Sequence, residues 1–362
     1  NGGAEAFNDE LINMLKNRGY DVKKVNSNKI DRSQMKDEYF YIVSNFMNLS
    51  EDSKAALLSK DYIILEHDHK YVSTNYPSKF VNMIAPFKEI INRNFFEGAI
   101  AVFCQSKIHS EVLQKNLLID NIVNVGCNLW SEERLTILES LLETEKTKKN
   151  VILYSNNKNK GMPYTIDYCE RNNIDYEFIR PCAYKEFVKQ LAQSERVFFF
   201  PQWLESFNRV IIEARILGCK VTSNKLIGAT SEPWFRKYKG KELLDFIRDR
   251  REHICEKFVN ALESRPLEFI EPLGVPKISI ITSLYKGGKY IEHFMEEVTK
   301  QTVFDKCELI ILDANSPDGE IEIIEKYRQK YDNIIYERLD TTPTVQETMN
   351  LGIKKSTGEL VT

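Results

Sequence analysis

The chain lacks the marks of a membrane-spanning, secreted or metal-built protein. No window approaches roughly eighteen uninterrupted apolar residues, and no signal peptide opens the sequence. Seven cysteines (Cys104, Cys127, Cys169, Cys182, Cys219, Cys255, Cys307) are an odd number without a Cys-x2-Cys pair, so neither a disulfide framework nor a zinc site is expected. Five histidines give no metal cluster beyond the pair His67 and His69. With 50 Lys and Arg against 53 Asp and Glu the net charge is −3, which leaves no basic footprint for nucleic acid. No Gly-x-Gly-x2-Gly follows any predicted strand, so a bare Rossmann-type dehydrogenase is disfavoured. What is present is 362 residues, 42% hydrophobic and 28% charged, the composition of a soluble globular protein of two or three domains, expected in the cytoplasm. The opening Asn1-Gly2-Gly3 without Met, and an end at Thr362 inside an unfinished unit, read as a fragment of a longer polypeptide.

Along the chain, strands alternate with helices. A glycine loop leads into an amphipathic helix with Phe7, Leu11, Met14 and Leu15 on one face, ending near Gly19. Strands are predicted at 22–25, 39–43, 62–65, 99–104 and 122–125, a pattern that argues a parallel sheet covered on both faces. The polar stretch 131–150 reads as a hinge, and a second α/β unit starts with a strand at 151–155. Glu242 to Leu262 reads as a charged helix that crosses back onto the first domain. Pro266, Pro272 and Gly274 place a linker at 265–276, after which the strand–helix pattern restarts.

The most informative stretch runs from Val197 to Glu232. Four apolar residues before Pro201 look like a buried parallel strand, because Pro cannot continue the ladder. The apolar run 207–217 is then a buried helix, with Ser206 as its N-cap and Gly218 as its stop. Glu205 therefore sits at the helix N-terminus and Glu213 about two turns in, roughly 9 to 12 Å further along. That separation suits a nucleotide sugar: the exposed amides would take a diphosphate, and each carboxylate can accept two hydroxyls of a sugar or a ribose. The plainer alternative is that Glu213 only pairs with a Lys or Arg inside an apolar helix.

The pattern Pro-x3-Glu-Ser-Phe-x2-Val-x2-Glu-Ala-x3-Gly resembles the donor-binding signature of the retaining family 4 glycosyltransferases, which have the GT-B fold. Glu205 and Glu213 match that family's Glu-x7-Glu pair, and Gly228 with Glu232 match its Gly-x3-Glu turn. Ser206 and Asn208 stand where the family usually has Gly on either side of Phe207. The resemblance implies that Lys160, and Lys158 as a second cation, face the donor diphosphate, although the usual Arg is absent. It implies that His67 contacts the donor sugar from the other domain, that the Gly2-Gly3 loop faces the acceptor, and that the first strand of that domain is missing. His67 and His69 as metal chelators or plain surface residues remain the alternatives. No metal is required by the residues of this part.

Beyond the linker, Ile278 to Tyr285 and Leu309 to Asp318 resemble the opening of the inverting family 2 glycosyltransferases, of the GT-A fold. In that family Tyr285, Asp313, Ser316 and Asp318 would hold the nucleotide, with Ala314 replacing the second Asp of the usual pair. Asn350 and the run from Gly358 match the segment leading to the family's Asp-x-Asp, which the chain does not reach. Mg or Mn is therefore expected only for a full-length domain of this kind.

The expectation is α/β: two Rossmann-like domains of GT-B type (1–147, lacking its first strand, and 148–264), the linker, and an incomplete GT-A domain at 277–362. The function implied is transfer of a sugar, with retention, from a nucleoside diphosphate sugar to a glycan or lipid-linked acceptor. Glu205 and His67 are the candidate catalytic residues. The donor-binding set is Glu213, Lys160, Lys158, Ser206, Phe207, Asn208, Gly228 and Glu232. A catalytically silent sugar-nucleotide-binding module is the alternative, motivated by Ser206, Asn208 and the missing Arg. A GT-B-fold epimerase would need further cleft carboxylates, and none stands out.

Overall fold

A computed structural model of the chain describes residues 2–271, 278–358 and 360–362. The chain divides into two compact units, 1–271 and 272–362. The predicted linker meets this division; its residues 272–276 lie outside the described ones. Residues 265–271 are not a free tether. The Ile270 amide donates to the Ile122 carbonyl (2.9 Å) and Gln114 Nε2 to the Glu271 carbonyl (3.1 Å), which ties them to the first unit.

The first unit holds two four-stranded parallel sheets. One is formed by β1 (Tyr41–Val43), β2 (Tyr62–Leu65), β3 (Ala101–Cys104) and β4 (Ile122–Asn124), in the order β1-β2-β3-β4. The other is formed by β5 (Lys148–Leu153), β6 (Glu177–Ile179), β7 (Ser194–Phe199) and β8 (Lys220–Ser223), in the order β6-β5-β7-β8. Helices α1 (Gly3–Asn17), α2 (Glu51–Leu57), α3 (Arg93–Glu97) and α4 (Lys107–Leu117) accompany the first sheet. Helices α5 (Glu132–Glu139), α6 (Met162–Arg171), α7 (Tyr184–Ala192), α8 (Arg209–Ile216), α9 (Pro233–Lys237) and α10 (Gly240–Leu262) accompany the second.

Strands β2 and β3 are buried along their whole length, as expected for parallel strands covered on both faces. Their side chains alternate between two cores. Ile63, Leu65, Ala101 and Phe103 face the large core that runs on into the second sheet, while Tyr62, Ile64, Val102 and Cys104 face a separate core under α3 and α4. The second sheet repeats the division, with Val151, Val197 and Phe199 on the shared core and Ile152 and Phe198 on the outer one.

The shared core is closed by α10. Near its start, Phe246 packs on Trp234 at 5.2 Å; near its end, Phe258 stacks on Phe103 of the first sheet at 4.3 Å and 19°. Burying a ring of that size is worth roughly 1.5–3 kcal/mol. The charged face makes ion pairs from Arg248 to Glu132 and Glu139, and Arg251 binds Glu10 of α1 and Glu132 of α5. The predicted helix therefore does return to the first sheet.

Three local expectations need correction. No strand forms at 22–25, because Val22 and Val25 are three apart and period two would put Lys24 beside Val22; Lys24 pairs with Asp9 instead. The supposed hinge contains α5, capped by Ser131 Oγ on the Arg134 amide, with Glu132 and Glu133 in its first turn and Leu135 and Leu138 buried. Helix α8 starts at Arg209, and its cap is Asn208, whose Oδ1 accepts from the Ile211 amide (3.2 Å), not Ser206.

In the second unit β9 (Ile278–Leu284), β10 (Cys307–Asp313), β11 (Ile334–Arg338) and β12 (Leu360–Val361) form a parallel sheet in the order β11-β10-β9-β12. Helices α11 (Ile291–Thr299), α12 (Ile321–Arg328) and α13 (Val345–Lys355) connect them. Helix α13 opens on a Thr344/Glu347 capping box and lies tight on β9: a Cβ at Gly352 would stand 2.3 Å from Ile281. Of the segment that begins at Gly358, Glu359 lies outside the described residues. No helix of the described residues is long and apolar enough to cross a membrane.

Candidate functional site

In parallel sheets, loops beyond the carboxyl ends of the strands collect ligand groups. In the first unit such loops from both sheets border one cavity of about 460 Å³. His67 and Asp68 follow β2, Gln105 follows β3 and Asn128 follows β4. Lys160 follows β5, Cys182 and Tyr184 follow β6, and Glu205, Ser206, Asn208 and Arg209 follow β7. Gly2, Gly3 and Ala4, at the N-terminus of α1, complete the wall with Arg134 and Glu213. A second concavity, bordered by Lys149, Asp175, Glu195 and Lys220, lies at the opposite, amino-terminal end of the second sheet.

Lys160 is placed by a turn that only glycine can follow. Gly161 has φ +67°, and an added Cβ would come within 1.9 Å of the Phe200 carbonyl oxygen. Lys160 Nζ then donates to both oxygens of Glu205, at 2.8 and 2.9 Å. Glu205 itself is held by backbone bonds, its amide to the Leu226 carbonyl (2.9 Å) and its carbonyl from the Gly228 amide (2.8 Å). Asn208, in an unusual backbone conformation (φ 76°, ψ 92°), adds an Nδ2 bond to Glu205 Oε2 (3.4 Å).

Glu213 lies on the buried face of α8. Its Oε1 accepts from Trp130 Nε1 (2.9 Å) and Tyr184 Oη (3.0 Å), and the residue is 2% exposed. Burial, and secondarily this carboxylate, raises the Tyr184 pKa. Four residues before it stands Arg209, which the sequence reading passed over. Arg209 Nη1 donates to Asn128 Oδ1 (3.0 Å) and the Leu129 carbonyl (2.6 Å), and the guanidinium lies 4.5 Å over the Trp130 ring. Its Nε and Nη2 are buried with no hydrogen-bond partner. Burial pushes its pKa down to about 10, so it stays charged at neutral pH. Arg134 lies 4.3 Å over the Tyr184 ring. Arg209 and Arg134 thus bring two guanidinium groups to the cavity wall. The sequence signal was an Arg and a Glu spaced i, i+4 inside an otherwise apolar helix.

His67 is 5% exposed, with Nδ1 beside Gln105 Nε2 (2.5 Å) and Nε2 beside Asn8 Oδ1 (3.3 Å). This pairing suits a neutral ring with its proton on Nε2. Burial, followed by the charge of Lys70, lowers its pKa to about 4. The turn that carries it is fixed by a buried pair, in which Glu66 Oε1 accepts from the Asp68 amide (2.8 Å) and Lys70 Nζ (3.2 Å). His69 is buried beside Tyr71 Oη (2.9 Å) and against the His109 ring (4.7 Å).

Several residues named from the sequence lie elsewhere. Lys158 is exposed outside the cavity, and Phe207 is buried in the shared core. Gly228 packs so closely that a Cβ would stand 2.2 Å from the Ser206 carbonyl oxygen, which in turn accepts from Ser106 Oγ (2.7 Å). Glu232 Oε1 accepts from the Lys107 amide (2.7 Å) at the start of α4 and from Asn124 Nδ2 (3.3 Å). It is a cap that joins the two halves of the unit, and the Gly228–Glu232 turn supports the Glu205 loop from behind.

In the second unit Asp313, at the end of β10, is 1% exposed. It accepts from the Ser316 amide (2.6 Å), Tyr336 Oη (2.6 Å) and Arg338 Nη1 (3.3 Å). Ser316 Oγ donates to Glu320 Oε1 (2.7 Å) and accepts from the Lys286 amide (2.8 Å); Asp318 packs on Gly288, and Tyr285 is exposed. The four predicted residues thus gather at the end of β10 and in the loops after β9 and β10, where Arg338 of β11 joins them through Asp313. Among the described residues no group of three or more His, Cys, Asp or Glu is placed to hold a metal ion.

Comparison with known proteins finds two curated glycosyltransferases, each over a short stretch of the chain. A glycosyltransferase of Streptococcus pneumoniae serotype 4, GlyG, is 27% identical over 85 residues, 24% of this chain and 28% of the relative. The cholesterol galactosyltransferase of Borreliella burgdorferi is 36% identical over 55 residues, 15% of this chain and 15% of the relative. The chain therefore spans less than a third of either relative. Among solved structures, Anabaena Alr3699/HepE in complex with UDP and glucose covers 59% of this chain and 77% of its own, at 13% identity and a TM-score of 0.36. The mannosyltransferase PcManGT from Pyrobaculum calidifontis, in complex with GDP-Man and Mn2+, covers 24% and 26%, at 20% identity and a TM-score of 0.23. Residues 279–362, within the second unit, match the family model for Glycosyl transferase family 2.

Proposed function

We propose that the chain is part of a glycosyltransferase, and that its first unit is a GT-B-type transferase, with an acceptor half at 1–147 and a donor half at 148–264. The linker at 265–276 then leads to a GT-A-type domain at 277–362. The observation that carries the reading is the cavity between the two sheets, which gathers the buried Arg209 with two unpartnered nitrogens, Arg134, Lys160 and the open N-terminus of α1. Three cations and a helix N-terminus suit a diphosphate.

A nucleoside diphosphate sugar would place its phosphates against Arg209 and Lys160 and its sugar against Glu205 and His67. Glu213 would offer Oε2 to a ribose hydroxyl, since Oε1 is taken by Trp130 and Tyr184. Charge grows on the β-phosphate oxygen as the bond to the sugar breaks, and preorganised cations lower that barrier. His67, neutral at physiological pH, would act as a hydrogen-bond donor rather than as an acid. The resemblance of the Glu205–Glu213 stretch to the family 4 signature supports transfer with retention of configuration, and a lipid-linked or glycan acceptor would approach from the Gly2-Gly3 side. In the second unit, Asp313 and Arg338 would frame a nucleotide site of family 2 type. Any Mg or Mn would need ligands other than a His, Cys, Asp or Glu cluster among the described residues.

The test is a panel of UDP-, GDP-, ADP- and dTDP-sugars, read by thermal shift and by nucleotide release, with Arg209→Met alongside. One donor that stabilises the protein, is turned over and is lost in the variant is the expected result. Binding without turnover would favour the silent sugar-nucleotide module, and no binding by folded protein would remove the reading.

A further inference from the structure

We propose that the loop between β2 and α3 docks the first unit onto a membrane surface carrying anionic lipid. This stands apart from the donor-pocket reading and does not need it. The loop is closed at its base by an antiparallel bridge between Val72 and Ile90 and by the Ile91 amide on the Tyr71 carbonyl (2.9 Å). Between these points the chain makes three separate 3-10 turns, Pro77–Lys79, Val81–Met83 and Phe87–Glu89. The turns carry apolar side chains outward. Val81 is 85% exposed, Phe87 84% and Ile84 48%, a concentration of projecting hydrophobes that a soluble surface does not ordinarily keep.

The projection is fixed rather than loose. Buried Asn116 of α4 accepts from the Ala85 amide (2.8 Å) through Oδ1 and donates to the Met83 carbonyl (2.8 Å) through Nδ2. It thereby holds a left-handed turn at Asn82 and Met83 (φ 53° and 62°), a conformation that Asn tolerates and Met does not favour. Backbone amides of Phe80, Met83, Ile84, Glu89 and Ile90 close the turns on themselves, which reduces the polar cost of leaving water.

Charge selects the occupant. Residues 73–89 contain Lys79 and Lys88 against a single acid, Glu89, which accepts from Ser73 Oγ at the base of the loop; the segment is net positive although acids outnumber basic residues 53 to 50 in the whole chain. Both lysines are exposed and flank the apolar tips. A convex apolar wedge between cations matches the boundary between anionic headgroups and acyl chains better than a flat protein partner. The loop is also joined to the site described above. Tyr76 Oη donates to the Gln202 carbonyl (2.7 Å), the Leu204 amide donates to Ser78 Oγ (3.1 Å), and Leu204 immediately precedes Glu205. Docking through this loop would hold the cavity rim at the membrane surface, where a lipid-linked acceptor resides.

The experiment is flotation of the full chain with vesicles of phosphatidylcholine alone or of phosphatidylcholine mixed with phosphatidylglycerol. The chain is expected to float with the mixed vesicles and to be released by salt. Val81→Asp with Phe87→Asp should abolish flotation without changing the melting temperature, because both side chains already face water. Lys79→Glu with Lys88→Glu should weaken it on the order of tenfold or more. Failure to float with either vesicle, or equal flotation of the Val81/Phe87 variant, would overturn the proposal. So would a dimer in solution that this variant dissolves while vesicles bind nothing, since the occupant would then be a second copy.

Discussion

Lys160 and Glu205 neutralise each other across the mouth of the cavity, with Nζ bonded to both carboxylate oxygens at 2.8 and 2.9 Å. On the function proposed above, a donor diphosphate would compete with Glu205 for that ammonium, and its arrival would free the carboxylate to accept sugar hydroxyls. Lys160→Ala should therefore weaken donor binding about 10- to 100-fold, the loss of one charge-assisted contact of roughly 1.5–3 kcal/mol. Glu205→Gln should leave nucleotide affinity nearly intact while reducing turnover. Calorimetry with the nucleoside diphosphate and with its sugar separates the two effects; equal losses for both ligands in both variants would contradict the division of labour.

Glu213 is expected to matter to stability as much as to the ligand. It accepts from Trp130 and Tyr184 and offsets the buried charge of Arg209. Removing one member of such a buried set costs about 3–5 kcal/mol, because the opposite charge is left without compensation. Glu213→Ala should show that loss in urea unfolding, whereas Glu213→Gln, which keeps an acceptor for Trp130 and Tyr184, should lose less. If Glu213→Ala unfolds at the native midpoint, the side chain is a ligand group and not part of the frame.

Two glycines with left-handed backbones should respond differently to substitution. At Gly161 a Cβ would sit 1.9 Å from the Phe200 carbonyl oxygen, and at Gly240 nothing lies within 4 Å. Gly240→Ala should then cost only the conformational term, about 1 kcal/mol. Gly161→Ala must also displace backbone, for a total of about 2–3 kcal/mol, and should weaken donor binding because Lys160 is the preceding residue. Thermal melts and donor titrations of the two variants check both halves of the contrast.

What the sequence made legible follows from how far each signal reaches. The parallel strands announced themselves as continuous apolar runs, Tyr62–Leu65 and Val197–Phe199, because burial on both faces leaves no room for alternation. The Glu205–Glu213 spacing, and the Lys160-Gly161 turn, are local and were readable for that reason. Arg209 and Arg134 were not. Each owes its place to partners such as Asn128, Trp130 and Tyr184, which are distant in sequence and meet only when α5, α7 and α8 pack together. The Gly228–Glu232 spacing likewise gave no sign that Glu232 accepts from the Lys107 amide at the start of α4, more than a hundred residues earlier.

The buried imidazoles make stability depend on pH in a definite direction. Burial is the leading cause that brings His67 and His69 to about 4 in the folded chain, and it drives His109 well below its ordinary value. In the unfolded chain all three titrate near ~6.5. As pH falls below that value the unfolded state takes up protons first, so stability is full above about pH 6.5 and declines toward about pH 4, by up to about 1.4 kcal/mol per pH unit for each ring. Glu232, whose pKa burial raises, works the opposite way, so the fall between pH 7 and 5.5, nearest the unfolded imidazole value, is the part to measure. Urea midpoints across that window should fall steadily for the native sequence and less steeply for His69→Gln, which removes one of the three titrations. A native midpoint that stays level between pH 7 and 5.5 would mean that the rings are already solvated, and the packed junction of His67, His69 and His109 behind the cavity would have to be abandoned.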